Sequence, residues 1–159
     1  MSLDPDLFRS VLGRFASGVT IVTACDPEGR DHGMTVSAFT SLSLDPSLVL
    51  VCIDRAASMH GVLVPGVWFV VNILAASQEA LSRRFSKLEA DARFEGIGFT
   101  RGTHGVPVLD DVLAHLECRV ETIHAGGDHD IVIGAVEHAA TGEDRPLLYY
   151  RGGYAQLER

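Results

Sequence analysis

Gly33-Met-Thr-Val-Ser-Ala-Phe-Thr-Ser-Leu-Ser-Leu-Asp-Pro46 is the stretch on which the reading of this chain turns. From Met34 to Leu44 it sets short polar side chains (Thr35, Ser37, Ser41) against apolar ones (Val36, Leu42, Leu44), the alternation of a strand. Asp45-Pro46 closes the segment, and Leu48-Val-Leu-Val-Cys-Ile53 opens another strand. Upstream, Val19-Thr-Ile-Val-Thr-Ala24 is rich in β-branched residues and stops at the turn cluster Asp26-Pro-Glu-Gly29. Downstream, strands are expected over 68–74, 112–123, 131–140, 147–150 and 154–157.

Helix is scarce. Asp4-Pro5 pairs an N-cap acceptor with proline at the first helical position, and Leu7, Phe8, Val11, Leu12 and Phe15 recur at helical spacing up to Gly18. Ser77 is expected to cap a second, short helix through Leu81 to Phe85. Residues 89–107 carry Gly96, Gly98, Gly102, Gly105 and Pro107 and read as an irregular loop. Six or more strands with about two helices and no β-α-β rhythm predict a mainly β chain. A closed or nearly closed antiparallel barrel is the expectation, because closure removes exposed edges. Leu48–Ile53 and Ile131–Val136 look apolar on both faces; one face fills a barrel, and a second subunit is the natural cover for the other. A single domain over 1–159, forming a homodimer, is therefore expected.

The totals narrow the function. A net charge of -8 repels phosphate backbones and anionic lipid, and the only adjacent basic pair, Arg83-Arg84, reads as a solvated helix face. Cys25, Cys52 and Cys118 are far apart, odd in number and form no CxxC pair, so neither a zinc knuckle nor a dithiol is expected. The acidic start lacks a secretory pattern, and the longest apolar run, 67–76, is broken by Asn72 and is too short for a bilayer. A soluble, cytoplasmic protein is the expectation.

Nucleotide motifs are missing: there is no Walker loop, and Gly96-Ile-Gly98-Phe-Thr-Arg101 fails at the third glycine of GxGxxG. His124, Asp128, His129 and Asp130 match no metal template, and Gly126-Gly127 points to a turn, so no metal is expected. No GxSxG elbow is present. What remains is the stretch after Gly33. Its short side chains leave main-chain N–H groups accessible, as a ring that gains negative charge on reduction requires. A half-buried strand with a solvated Ser/Thr face accounts for the same pattern.

The whole run Gly33–Ile53 closely resembles the signature of the flavin reductase-like family, the short NAD(P)H:flavin oxidoreductases of two-component monooxygenases. The likeness continues through Phe69-Val-Val-Asn-Ile-Leu74, Gln78, Leu81-Ser-Arg-Arg-Phe85, Pro107-Val-Leu109, Leu116-Glu-Cys118, Gly127-Asp-His129 and Pro146-Leu-Leu-Tyr-Tyr150. It implies a dimeric split β-barrel of the Greek-key, FMN-binding type. It also implies hydride transfer from NADH or NADPH to FMN or FAD, with reduced flavin passed to a partner monooxygenase. By this resemblance Thr35, Val36, Ser37 and Ala38 line the isoalloxazine ring, largely through backbone groups, with Ser41 nearby. Cys52, Ile53 and Asp54 lie beside the ring and ribityl chain, Ser58 at its ribityl or phosphate end, and Phe85, Ser86 and Lys87 around the phosphate. His129 faces the nicotinamide, and Tyr154 walls the same pocket. Each has a plainer reading: Cys52 and Ile53 as core, Ser58 as a helix cap, Lys87 as a solvated charge, His129 as a turn residue, Tyr154 as a strand aromatic. A tight flavin carrier or sensor without turnover, and a related split-barrel oxidase, remain open at this point.

Overall fold

The computed structural model describes residues 2–158. In chain order it contains α1 (Pro5–Leu12), β1 (Ser17–Gly18), β2 (Thr20–Cys25), β3 (Asp31–Val36), β4 (Phe39–Ser43), β5 (Leu48–Asp54) and β6 (Trp68–Ile73). These are followed by α2 (Glu79–Lys87), β7 (Phe99–Arg101), β8 (Pro107–Leu109), β9 (Ala114–Gly126), β10 (His129–Thr141), β11 (Leu147–Tyr150) and β12 (Gly153–Gln156). Single turns of 3-10 helix occupy Ser58–Gly61, Ala76–Gln78 and Ala90–Ala92. The chain is mainly β, every sheet antiparallel, as its alternation predicts. Among the described residues no helix is long and apolar enough to cross a membrane.

The large sheet runs β3-β2-β6-β9-β10-β5-β4. Its two edge strands are consecutive in sequence, joined only by Ser37 and Ala38. Laid flat, seven strands would separate those edges by about 29 Å, whereas the link from Val36 to Phe39 reaches about 10 Å. The sheet must therefore curl until its edges nearly meet. A hydrogen bond from Cys52 N–H to Ala38 O (3.0 Å) fastens the link to β5.

Curling defines an inside. Val22, Ala24, Val36, Val51, Ile53, Phe69, Val71, Cys118, Val120 and Val132 fill it, one side-chain face of each long strand. Outside, Val19, Ile21, Leu74, Phe85, Leu109 and Leu147 form a second cluster under α2 and β8. β2 is thus buried on both faces, covered by the chain itself. β5 is not: Val49, Val51 and Ile53 are buried, but Leu48, Leu50 and Cys52 on the other face are only half-buried. α1 has no buried residue, leaving Leu7, Phe8, Val11 and Leu12 more than half exposed.

Several expectations need correction. Residues 34–44 are two strands at opposite edges of the sheet, because the short side chains of Ser37 and Ala38 permit a sharp break. Phe39 N–H donates to Ser37 O (2.9 Å) across that break. The first helix stops at Leu12, where Gly13 N–H closes on Arg9 O, so Phe15 lies beyond it. Ser77 does not cap α2; Gln78 turns back to accept the Ala75 N–H (2.9 Å) and α2 starts after it. The glycine-rich 89–107 segment contains β7 and leads into β8, a short hairpin rather than an irregular loop. Asn72, the polar break in an apolar run, locks that hairpin down. Its side chain is fully buried, donates to Ile21 O (2.9 Å) and accepts from Leu109 N–H (2.9 Å).

Gly33 shows how closely α2 approaches β3. A Cβ there would sit 2.6 Å and 2.8 Å from the Phe85 ring and 3.1 Å from Phe94. Phe85 is fully buried, and the added methyl has nowhere to go. Gly33→Ala is expected to lower stability by about 1–3 kcal/mol, read from the urea midpoint. An unchanged midpoint would mean that the Phe85–Gly33 contact is slack.

Candidate functional site

The break between β3 and β4 opens onto a groove of about 680 Å3. One wall is the seam itself, Ser37, Ala38, Phe39 and Thr40; the floor is Leu50 and Cys52 of β5. The other wall is α1 and the segment between it and β1, Arg9, Leu12, Gly13, Phe15 and Ser17, with Tyr149 and Gly152 at the end. Its volume falls in the range of small-molecule and cofactor sites. The lining is largely apolar, and the seam contributes main-chain polar groups. Ala38 O is taken by Cys52 and Ser37 O by Phe39, but among the described residues the amides of Ser37 and Ala38 donate to no protein group. Ser37 and Ala38 are both exposed. Two adjacent unclaimed donors thus stand at the rim of a concave, mostly apolar surface.

Strand register brings a histidine to the same face. Ile131 pairs with Cys52 and His129 with Asp54, so His129, Asp54 and Cys52 project from one side of the β5–β10 ladder. His129 lies about 8 Å from Cys52, two residues along and one strand across. Its Nδ1 is 2.7 Å from Asp128 Oδ1; the carboxylate accepts, so Nδ1 carries the proton and Nε2 is free for another partner. The bond holds the Asp128 carboxyl below its usual range, first through hydrogen bonding and then through charge.

A clamp connects this turn with residues 55–61. Asp130 accepts from His60 Nε2 (2.7 Å) and Arg55 Nε (3.0 Å), while Arg55 N–H donates to Asp128 O (3.0 Å). Those bonds, His60's first, depress the Asp130 carboxyl below its ordinary value. Ser58 is exposed and opens the 3-10 turn that carries His60, and that turn packs against β3.

Comparison with known proteins fixes the lineage. Residues 12–158 match the family described as flavin reductase like domain. The chain belongs to the flavin reductase-like family. It is 40% identical over 158 residues to the flavin-dependent monooxygenase reductase subunit HsaB of Rhodococcus jostii, covering 99% of this chain and 80% of the relative. It is 41% identical over 162 residues to the NADH-dependent flavin reductase of a Rhodococcus species, covering 98% and 90%. Among solved structures it superimposes with a TM-score of 0.90 on the Streptomyces globisporus NADH:FAD oxidoreductase SgcE6 in complex with NAD and FAD fragments. That pair is 34% identical and covers 99% and 96% of the two chains.

The structure places the residues that the flavin reductase-like signature singles out in different surroundings. Ser37, Ala38 and Cys52 line the groove, and Asp54 and His129 continue its face. Others are spent inside the fold. Val36 is buried, its carbonyl accepting from Thr20 Oγ1 (2.6 Å), and Ile53 is a core residue. Thr35 Oγ1 donates to Ser82 O (2.7 Å), and Ser82 Oγ bonds the Tyr154 hydroxyl (2.8 Å), so both residues brace α2 rather than line the groove. Phe85 is fully buried and offers no side-chain surface to a ligand, and Ser86 Oγ donates to Arg83 O of its own helix (3.0 Å). Lys87 is exposed and has no ion pair among the described residues. Ser41 alternates with Thr40 along β4, and Thr40 is the one that lines the groove. Asp54 caps its own turn by accepting from Ala56 N–H (2.8 Å).

Sequence reasoning missed Leu50, Thr40, Arg9, Phe15 and Tyr149. Leu50 was within reach, two residues before Cys52 and hence on its face; the α1 wall left no sequence signal. The Asp130 clamp generates a pH test. Because its folded pKa is depressed, Asp130 stabilises the fold above the unfolded value near 4 and loses that contribution as pH falls through the folded one. Asp130→Asn is expected to lower the urea midpoint most at neutral pH, the difference from wild type shrinking below about pH 4. A difference that stays constant into strong acid would show that the Asp130 charge is not what holds the clamp.

Proposed function

We propose that the chain is an NADH-dependent flavin reductase that binds FMN or FAD in the seam groove and supplies reduced flavin to a separate monooxygenase. The unclaimed amides of Ser37 and Ala38, standing over a groove of this size, carry the reading. Family membership and the names of the relatives support it.

The residues present fit a flat, largely apolar ring with a polar edge. Leu50, Cys52, Phe15 and Tyr149 offer apolar surface to the ring, and Ser37 and Ala38 offer two N–H donors to its electron-rich edge. Bound there, flavin would supply a two-electron acceptor for hydride from the reduced nicotinamide. The chain's own work is to stack, orient and stabilise. The Ser37 and Ala38 dipoles are fixed in advance by bonds that occupy the neighbouring carbonyls, so they need no reorganisation as charge develops nearby. Asp128 orients the His129 ring, whose free Nε2 is the group we assign to the nicotinamide side. Asp54, Ser58 and Lys87 serve the ribityl and phosphate end in this reading. No nucleophile or strong acid is required.

The proposal extends to assembly. A single flavin reductase-like domain would close its curled sheet as a split barrel and pair with a second copy. The exposed apolar flank of α1 and the half-buried face of β5 support such a cover. A cytoplasmic location accompanies this reading.

The deciding measurement mixes protein, free FMN or FAD and NADH, and follows loss of the reduced nicotinamide absorbance. Flavin-dependent consumption is expected; none with either flavin would end the proposal. His129→Ala is expected to lower kcat/KM at least about tenfold while flavin affinity is retained, and unchanged kinetics would remove His129 from the site. Ala38 is central in a turn where Phe39 N–H meets Ser37 O, with negative φ, a conformation that proline accepts. Ala38→Pro deletes one donor and is expected to weaken flavin binding about tenfold by fluorescence titration. Full affinity in that variant would discount the amide.

A further inference from the structure

Away from the groove, and sharing no lining residue with it, the tip of the β7–β8 hairpin is pressed onto the outer face of β6, β9 and β10. The hairpin is held at several points. Thr23 Oγ1 donates to Pro107 O (2.6 Å), Asn72 holds the Leu109 amide, and Glu117 Oε1 accepts the Thr103 N–H (2.7 Å). His104, next in sequence, is laid flat on Trp68, ring centroids 3.4 Å apart and planes within 4°. An imidazole stacked in this way has lost most of its freedom to turn.

Facing it are two side chains that a regular strand would send to opposite sides. Glu137 and His138 are consecutive in β10, but the register shifts there: Val136 pairs with Cys118 and His138 with Glu117, leaving Glu137 as the extra residue of a β-bulge. A bulge suspends the alternation and lets neighbours project together. As a result the donor atoms of His104, Glu137 and His138 all lie within 4.8 Å of one another. His104 Nε2 and Glu137 Oε2 are 3.7 Å apart, too far for a hydrogen bond.

We propose that His104, Glu137 and His138 bind a divalent transition metal of the Zn2+ class. Two imidazoles and one carboxylate are a donor set that zinc accepts, at about 2.0–2.2 Å from each atom. Donor atoms would then stand roughly 3.3–3.6 Å apart, within reach of small rotations of Glu137 and His138, both exposed. Solvent completes the coordination. Cu2+ should bind the same atoms more tightly than Zn2+. The metal would staple the hairpin tip to the bulged strand. No sequence template flags the site, because one ligand comes from the hairpin and two from a bulge more than thirty residues later.

The chain's single tryptophan is the reporter. Tag-free, chelator-stripped protein is titrated with Cu2+ while Trp68 emission is followed, and with Zn2+ by calorimetry. Saturable quenching and one Zn2+ per chain are expected, with a Zn2+-dependent rise in melting temperature. His138→Ala, which leaves the His104–Trp68 stack in place, is expected to weaken both metals at least about tenfold and abolish the thermal shift. Glu137→Gln is expected to give a smaller loss, and its emission before metal addition, like that of a folded wild type, checks that the fold is intact. Quenching that never saturates, or Glu137→Gln and His138→Ala titrations that both overlay the wild type, would overturn the site.

Discussion

Two residues join the opposite margins of a seven-stranded sheet, and most of the molecule depends on how short that connection is. Ser37 and Ala38 cannot cross a flat sheet, so the strands must wrap, and wrapping gives Val51, Phe69, Cys118 and Val132 an interior to fill. The same shortness keeps the connection out of either ladder. Among the described residues its amides stay unpaired while its carbonyls are taken, an asymmetry that leaves two donors at the seam. The point where the sheet returns on itself is therefore where the unclaimed donors appear.

The alternation in 34–44, the β-branched run at 19–24 and the Asp4-Pro5 cap were legible because each is a local preference that the fold respects. The break at 37–38 was not. Ser and Ala fit a continuous strand as readily as a kink, and only the pairing of β3 with β2 and β4 with β5 separates them. The β7–β8 hairpin hid for a related reason: its glycines mark a loop when read locally, and its anchors, Asn72 and Glu117, are distant in sequence. Of the candidate site, the signature named the seam and His129 alongside residues that the fold uses as braces. Thr35 and Tyr154 hydrogen-bond to α2 and Phe85 is fully buried. Motif membership alone cannot tell a residue that touches a ligand from one that supports a residue that does.

That bracing has a direction. Thr35, Ser82 and Tyr154 tie β3 through α2 to β12, and Phe85 presses beneath Gly33, so the strand leading into the seam is fixed from behind. The turn bearing His129 is fixed from the side by Asp130. Both restraints leave the open surface free of side-chain commitments. Preorganised dipoles of this kind cost stability only where their own backbone partners are withheld, and here that amounts to two N–H groups left to solvent.

The helix at the start of the chain is attached differently. Its end is tied to the turn between β11 and β12 by Arg151 N–H donating to Gly13 O (2.9 Å), and its residues build one wall of the groove while none of them is buried. One short element thus lines the groove on one side and leaves an apolar flank exposed on the other. By thermodynamic reciprocity, whatever effect a body on the apolar flank of α1 has on the affinity for one resting against Arg9 and Leu12 is returned by an equal factor. Any linkage between a body on that flank and one in the groove would run through these eight residues of helix.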